Sequence, residues 1–166
     1  MLSTWSDFLS TLAQVSVSLL ALLFVSFQIT RNRWTKKPAR QLVAIQTLLE
    51  FLTPSFFAFV ALLPAEPITL LNQQINVWQM GAIFTGIIGI LVSLALLRYG
   101  FVHQNQKKSD KFLRSQINLQ PMALLEYALI LGFSYSGNLV LTSAMMIWLL
   151  VSGSFETWLF FSEHTA

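Results

Sequence analysis

Residues 31–40 read Arg31-Asn32-Arg33-Trp34-Thr35-Lys36-Lys37-Pro38-Ala39-Arg40, a basic run set between two long apolar stretches. A second basic run, with Arg98, Lys107, Lys108, Lys111 and Arg114, separates two later apolar stretches. Together the two runs hold all 10 Lys and Arg residues of the chain. Cations confined in this way mark the cytoplasmic connections of membrane spans, because Lys and Arg are retained on that side.

Working outward from these runs, a crossing needs about 20 apolar residues to cover roughly 30 Å of hydrocarbon. Four segments meet this: 5–29, 42–63, 77–97 and one within 122–151. The last is longer than one crossing requires, and a tilt, a bend near 132–138 or a helical extension beyond the membrane would each accommodate it. The expected fold is an all-α membrane bundle of four helices in a single domain, 1–166. Its cytoplasmic loops are 30–41 and 98–121, and a short outer segment, 152–166, follows the last span.

The connection 64–75 and both ends of the chain carry no Lys or Arg, and Asp7, Glu66, Glu156 and Glu163 fall on that side. Both termini are therefore expected outside, on the non-cytoplasmic face, and an even number of spans independently requires them to share a side. Trp5, Trp78 and Trp158 are expected near the outer boundary, and Trp34 and Tyr99 near the inner one, as interfacial anchors. The stretch 155–161 is too short to cross again and reads as lying in the outer interface. The first span has Asp7 and no cation before it, and its apolar run is too long for a signal peptide, so it reads as a retained helix.

Composition excludes a soluble domain. Only 10% of residues are charged and 55% are hydrophobic, where a water-soluble domain has about a quarter of its residues charged. The net charge of +3 belongs to the loops and describes orientation in the bilayer, not affinity for nucleic acid. With no cysteine, there is no disulfide framework, thiolate chemistry or Cys-ligated metal. The basic clusters Arg31, Arg33, Lys36, Lys37, Arg40 and Lys107, Lys108, Lys111, Arg114 also suit the membrane surface, where anionic headgroups attract each charge by about 1 kcal/mol.

The two halves of the chain each read span, basic loop, span. A shift of 67 residues places Phe24-Val25-Ser26 on Leu91-Val92-Ser93 and Arg31 on Arg98. With an allowance for the longer second loop, Leu48-Leu49-Glu50-Phe51 falls on Leu124-Leu125-Glu126-Tyr127. This pattern fits two fused hairpins related as parallel repeats. Chance alignment of Leu-rich spans explains much of it; the matched carboxylates resist that explanation best.

Glu50 lies ten residues beyond Arg40, about 15 Å of helix rise and close to mid-span. A carboxylate at that depth is costly and should face the bundle interior or a water-filled cavity, which marks it as an ion- or proton-handling group. The plainer reading is a structural hydrogen bond, with Gln14, Ser18 or Gln46 as partner. Glu126 is expected nearer the cytoplasmic end of its span, and Tyr127 beside it as an interfacial aromatic. Pro54, just after Glu50, removes a helical hydrogen bond one turn earlier.

The first span carries a heptad-spaced stripe, Asp7, Thr11, Gln14, Ser18, Ala21, Val25 and Gln28. Such spacing keeps a face against a partner helix, and its Gln14, Ser18 and Gln28 would line a pathway if copies surrounded an axis. In the third span Ala82, Gly86, Gly89 and Ser93 form a small-residue ridge for close helix packing. The polar middle of the fourth span, Ser134, Ser136, Gly137, Asn138, Thr142 and Ser143, reads as helix–helix hydrogen bonding.

Enzymatic chemistry finds no footing. His103 and His164 lie outside the spans, so no metal or cofactor site can form from them within the bundle. Ser134 and Ser136 have no His base in another span. The leading expectation is a small oligomeric channel or transport protein for a cation or proton, with no cofactor and no metal, and with Glu50 and Glu126 facing the pathway. The rival is a non-catalytic subunit of a larger membrane complex, docked to another membrane protein. A lipid-binding protein with a side-opening groove is a third reading.

Overall fold

The computed structural model of the chain describes residues 2–29, 31, 38–64, 66–70, 73–103 and 111–162. Arg33, Lys36, Lys37, Lys107 and Lys108, singled out above, lie outside them, as does the side chain of Lys111.

Gly137 decides how many helices there are. Its φ of 73° is one that a residue bearing a Cβ adopts only at a cost. The Gly137 N–H donates to the Ser134 carbonyl (3.1 Å) and the Asn138 N–H to the Phe133 carbonyl (3.0 Å), which closes the preceding helix in a Schellman cap. Asn138 then starts the next one: its Oδ1 accepts the Leu141 N–H at 3.0 Å, the bond an N-cap residue supplies. One glycine and one asparagine thus end a helix and begin another.

The stretch 122–151, expected as a single fourth span, is therefore two helices. These are α4, Lys111–Tyr135, and α5, Leu139–Ser162. At 1.5 Å per residue each is about 36 Å long, sufficient to cross a membrane alone. They run antiparallel, since Glu126 on α4 meets Trp148 and Ser152 on α5, residues placed almost symmetrically about the turn. Of the polar middle, Ser136 bonds the Phe133 carbonyl and Thr142 the Asn138 carbonyl. They serve the turn and its first helical residues, not a neighbouring helix.

The other helices are α1, Leu2–Ile29, α2, Pro38–Leu62, and α3, Val77–Val102. A short antiparallel hairpin, β1 Ile68–Leu70 with β2 Gln73–Ile75, occupies the connection from α2 to α3 and pairs Ile68 with Ile75. Among the described residues, five helices are long and apolar enough to span a membrane. The chain is a multi-pass helical membrane bundle with five such helices in place of the four expected. Two further boundaries move with this correction. The loop expected at 98–121 is largely helical, and 152–162 continues α5 instead of lying outside the last span.

Helices α2, α3, α4 and α5 form a ring in which each packs on the next and α5 closes back on α2. Helix α1 packs outside the ring, mainly on α2, through Leu9, Leu12, Ala13, Leu23 and Phe27. Burial follows this plan: 61% of the α2 span is buried, against 28% of the α1 span.

The tightest seam joins α3 and α4. Ala82, Gly86, Gly89 and Ser93 are all buried on α3. A Cβ on Gly86 would come 2.8 Å from Leu131, and one on Gly89 would enter the Tyr127 ring. Absent side chains let the two backbones approach, which is what holds helices together where lipid removes the hydrophobic driving force. Gln79 secures the far end of this seam, accepting from the Asn76 N–H (2.7 Å) and donating to the Ser134 carbonyl (2.9 Å).

The ring of Phe27 on α1 lies 6.0 Å from that of Phe161 on α5. The last turns of these two helices therefore share the end of the bundle that carries Arg31 and Arg40. Trp158, expected at the outer boundary, belongs to this basic end.

Candidate functional site

Phe57 lies seven positions beyond Glu50 on α2, and the helix keeps both turned into the ring, each 0% exposed. One turn before Glu50, Gln46 presents its amide on the same face. The Gln46 Nε2 donates to Glu50 Oε1 at 3.3 Å and to Glu156 Oε1 on α5 at 3.4 Å. A single amide thus bridges two carboxylates from different helices. Glu50 reaches α5 because residue 153 is glycine: a Cβ there would lie 3.0 Å from both Cβ and Oε2 of Glu50.

A third carboxylate comes from α4. Glu126 is buried and accepts from the indole Nε1 of Trp148 at 2.8 Å and from the Ser152 Oγ at 3.3 Å. Tyr127 beside it is 0% exposed and lies within electrostatic reach of all three carboxylates. It is a core residue and not the interfacial aromatic expected, because Gly89 leaves room for its ring. Gln116 and Gln120, also buried, extend the polar interior toward the basic end along α4.

Counted along the helices, Gln46 stands about 9 Å beyond Arg40, Glu50 about 15 Å, and Glu126 about 18 Å beyond Arg114, and Glu156 is brought to the level of Gln46 by their hydrogen bond. The acidic groups therefore rise stepwise from the basic end to mid-bundle. Several atoms along them have no hydrogen-bond partner: Glu50 Oε2, Glu156 Oε2, Gln120 Oε1, both polar atoms of the Gln116 amide and the Tyr127 hydroxyl. Among the described residues none of the three carboxylates is paired with Lys or Arg. Buried polar groups ordinarily find partners, and these atoms have none among the described residues. Pro54 adds to them, since its missing N–H leaves the backbone carbonyl of Glu50 without its helical donor.

Past this zone the interior turns apolar. Phe57, Ala82, Ile130 and Met146, one from each ring helix, are all fully buried. Beyond that layer, at the opposite end, a polar depression of about 340 Å³ is lined by Asn76, Gln79, Tyr135, Ser136 and their neighbours.

A separate cleft of about 260 Å³ opens on the side of the bundle between α4 and α5. Met122, Trp148, Val151 and Phe155 form its rim, and Glu126 and Glu156 lie within it.

Of the residues singled out in the sequence, Glu50 and Glu126 are thus brought into one interior. Gln14, Ser18 and Gln28 are not. All three are exposed on the outer face of α1, where Gln14 Nε2 donates to Ser10 Oγ (3.4 Å) and Ser18 Oγ to the Gln14 carbonyl (2.8 Å). Arg31 and Arg114 are exposed at the basic end, and Arg40 is half-buried.

Glu156 is the main residue that the sequence reading misplaced. It was expected outside the membrane, and recognising Gly137-Asn138 as a C-cap followed by an N-cap would have put it inside a fifth span. Gln116 and Gln120 carried a weaker signal, a polar stretch at i, i+4 spacing that reads equally well as loop. Among the described residues no three His, Cys, Asp or Glu side chains converge closely enough to hold a metal ion. No protein-family model, curated protein or solved structure matches the chain.

Proposed function

We propose that this chain is a small membrane transport protein that handles protons inside its own four-helix ring, with Glu50 at the centre of the path. The observation that carries the reading is the stepped set Glu156, Glu50 and Glu126, buried on three helices, bridged in part by Gln46, and unpaired with any described cation. Intramembrane carboxylates facing a bundle interior are expensive to keep and mark proton or ion routes. A proton suits this interior better than a hydrated cation. It moves between side chains without an open pore, and Tyr127 against Gly89 and Glu50 against Gly153 leave no such pore.

The apolar layer at Phe57, Ile130 and Met146 separates the carboxylates from the far polar depression. Transfer across it requires the layer to open, which favours a gated carrier over a permanently open channel. With Lys and Arg retained in the cytoplasm, the carboxylates face that side. Five crossings then place the N-terminal end of α1 outside and the C-terminal end of α5 inside, a revision of the shared outer side first expected.

A second reading, an accessory subunit of a larger complex, is favoured by α1. Its polar stripe, including Gln14, Ser18 and Gln28, is exposed on the helix outside the ring, and polar side chains at membrane depth seek partners in other helices. On the transport reading the same stripe joins copies of this chain.

The test is proton flux into liposomes holding only the purified protein, reported by a trapped pH dye. The parent should acidify the lumen under an imposed gradient, and Glu50→Gln should lower the rate by about tenfold or more. Parental flux unaffected by Glu50→Gln would remove Glu50 from the path. Absence of flux, with a second membrane protein co-purifying from native membranes, would replace transport with the subunit reading.

A further inference from the structure

The lateral cleft between α4 and α5 has a composition that selects its ligand. Its wall is almost wholly apolar, from Met122, Trp148, Val151 and Phe155, while its polar groups are the carboxylates of Glu126 and Glu156, the Ser152 hydroxyl and the Trp148 indole N–H. Among the described residues no Lys or Arg lines it. Glu156 is 5% exposed, and its Oε2 has no hydrogen-bond partner. Glu126 has a donor on each oxygen, Trp148 on one and Ser152 on the other, yet a carboxylate oxygen accepts more than one bond.

From these features we infer that the cleft is a membrane-facing binding site for a small lipophilic ammonium ion, an amine with an aryl or alkyl tail that reaches the site from within the bilayer. The ammonium group would supply the donors that the carboxylates lack. Trp148 and Phe155 bring aromatic rings to the cleft, and an aromatic ring attracts a cation. An anion would meet two carboxylates with no compensating base. A neutral apolar molecule would fill the walls but leave Glu156 Oε2 unpartnered, a cost that a buried acceptor carries in full.

Depth narrows the source. An ammonium ion that meets both carboxylates must reach Glu126, about 18 Å of helix rise beyond Arg114 and deeper than Glu156, and a headgroup ammonium anchored at the basic end would stop short of it. The cleft, at about 260 Å³, is also slightly smaller than pockets that enclose drug-sized ligands, roughly 300–1,000 Å³. A single ring or a short alkyl chain is the fitting size.

This site does not depend on proton conduction, and it is tested at equilibrium with no gradient. The probe is radiolabelled 4-phenylbutylammonium, with its neutral analogue 4-phenylbutan-1-ol, added to the protein in nanodiscs and read against empty nanodiscs. Saturable binding of the amine, at least about tenfold tighter than the alcohol, is expected, and Glu126→Gln should remove that preference. If Glu126→Gln does not fold, the amine–alcohol comparison on the parent and Trp148→Leu, which removes the ring face, decide the matter. Equal affinity for amine and alcohol would make the cleft an apolar crevice for lipid tails and overturn the inference. So would amine binding unchanged in a folded Glu126→Gln protein.

Discussion

Gln46 holds the most consequential position of any neutral residue in the bundle. Its amide is the donor shared by Glu50 and Glu156, two carboxyl groups that meet across the α2–α5 interface. Gln46→Met keeps the volume and removes the donor, leaving both carboxylates to face apolar surroundings. The expected cost is about 1–3 kcal/mol of stability, read as a lowered midpoint of thermal unfolding in detergent. If the amide only fills space, Gln46→Met will leave that midpoint unchanged. Gln46 was legible as a partner of Glu50, four residues before it on the same helix, but Glu156 was not, since its contact with Gln46 joins positions 110 residues apart.

The element that governs the architecture is the turn between α4 and α5. Gly137 has a φ of 73°, and a non-glycine residue in that conformation costs about 1–2 kcal/mol. Gly137→Ala should therefore destabilise the protein by about that amount. Gly132→Ala should be neutral or stabilising by up to about 1 kcal/mol: residue 132 is helical, and its added Cβ would meet nothing within 4 Å. Thermal unfolding of the two variants side by side checks the pair, and equal effects would contradict the capped turn. The signal for this turn stands in the sequence as Gly-Asn, but within a long apolar stretch it is equally compatible with a polar kink. The first third of α4 was hidden for a different reason. Hydropathy treats Gln116 and Gln120 as loop-like, whereas their side chains point into the ring, so this helix is polar on its buried face.

At the scale of the whole molecule, five crossings and four crossings make opposite statements about one residue. Ser136 is at mid-membrane if 122–151 is one span, and at the outer surface if α4 and α5 are separate. The chain has no cysteine, so an introduced thiol is unique. In intact cells Ser136→Cys should react with a membrane-impermeant maleimide, and Arg31→Cys should react only after the membrane is opened. Both residues are exposed, so failure of Ser136→Cys to label would argue against the proposed orientation or the fifth crossing. The same five-helix plan alters the repeat. Glu50 lies on the second helix and Glu126 on the fourth, the matched positions of the two expected hairpins, while α5 supplies Glu156 and closes the ring.

The sequence by itself determined that this is a chain of apolar membrane-spanning helices and which of its connections are basic, because both follow from one-dimensional quantities: apolar run length set against bilayer thickness, and the confinement of cations to two runs. It also marked Glu50, since a carboxylate ten residues into a span is conspicuous whatever surrounds it. Only the tertiary structure decided that there are five helices and that Glu156 joins Glu50. It also decided that Gln14, Ser18 and Gln28 stand apart from them. Those facts depend on which face of each helix is covered and on a turn of three residues, and composition averaged along a span carries neither.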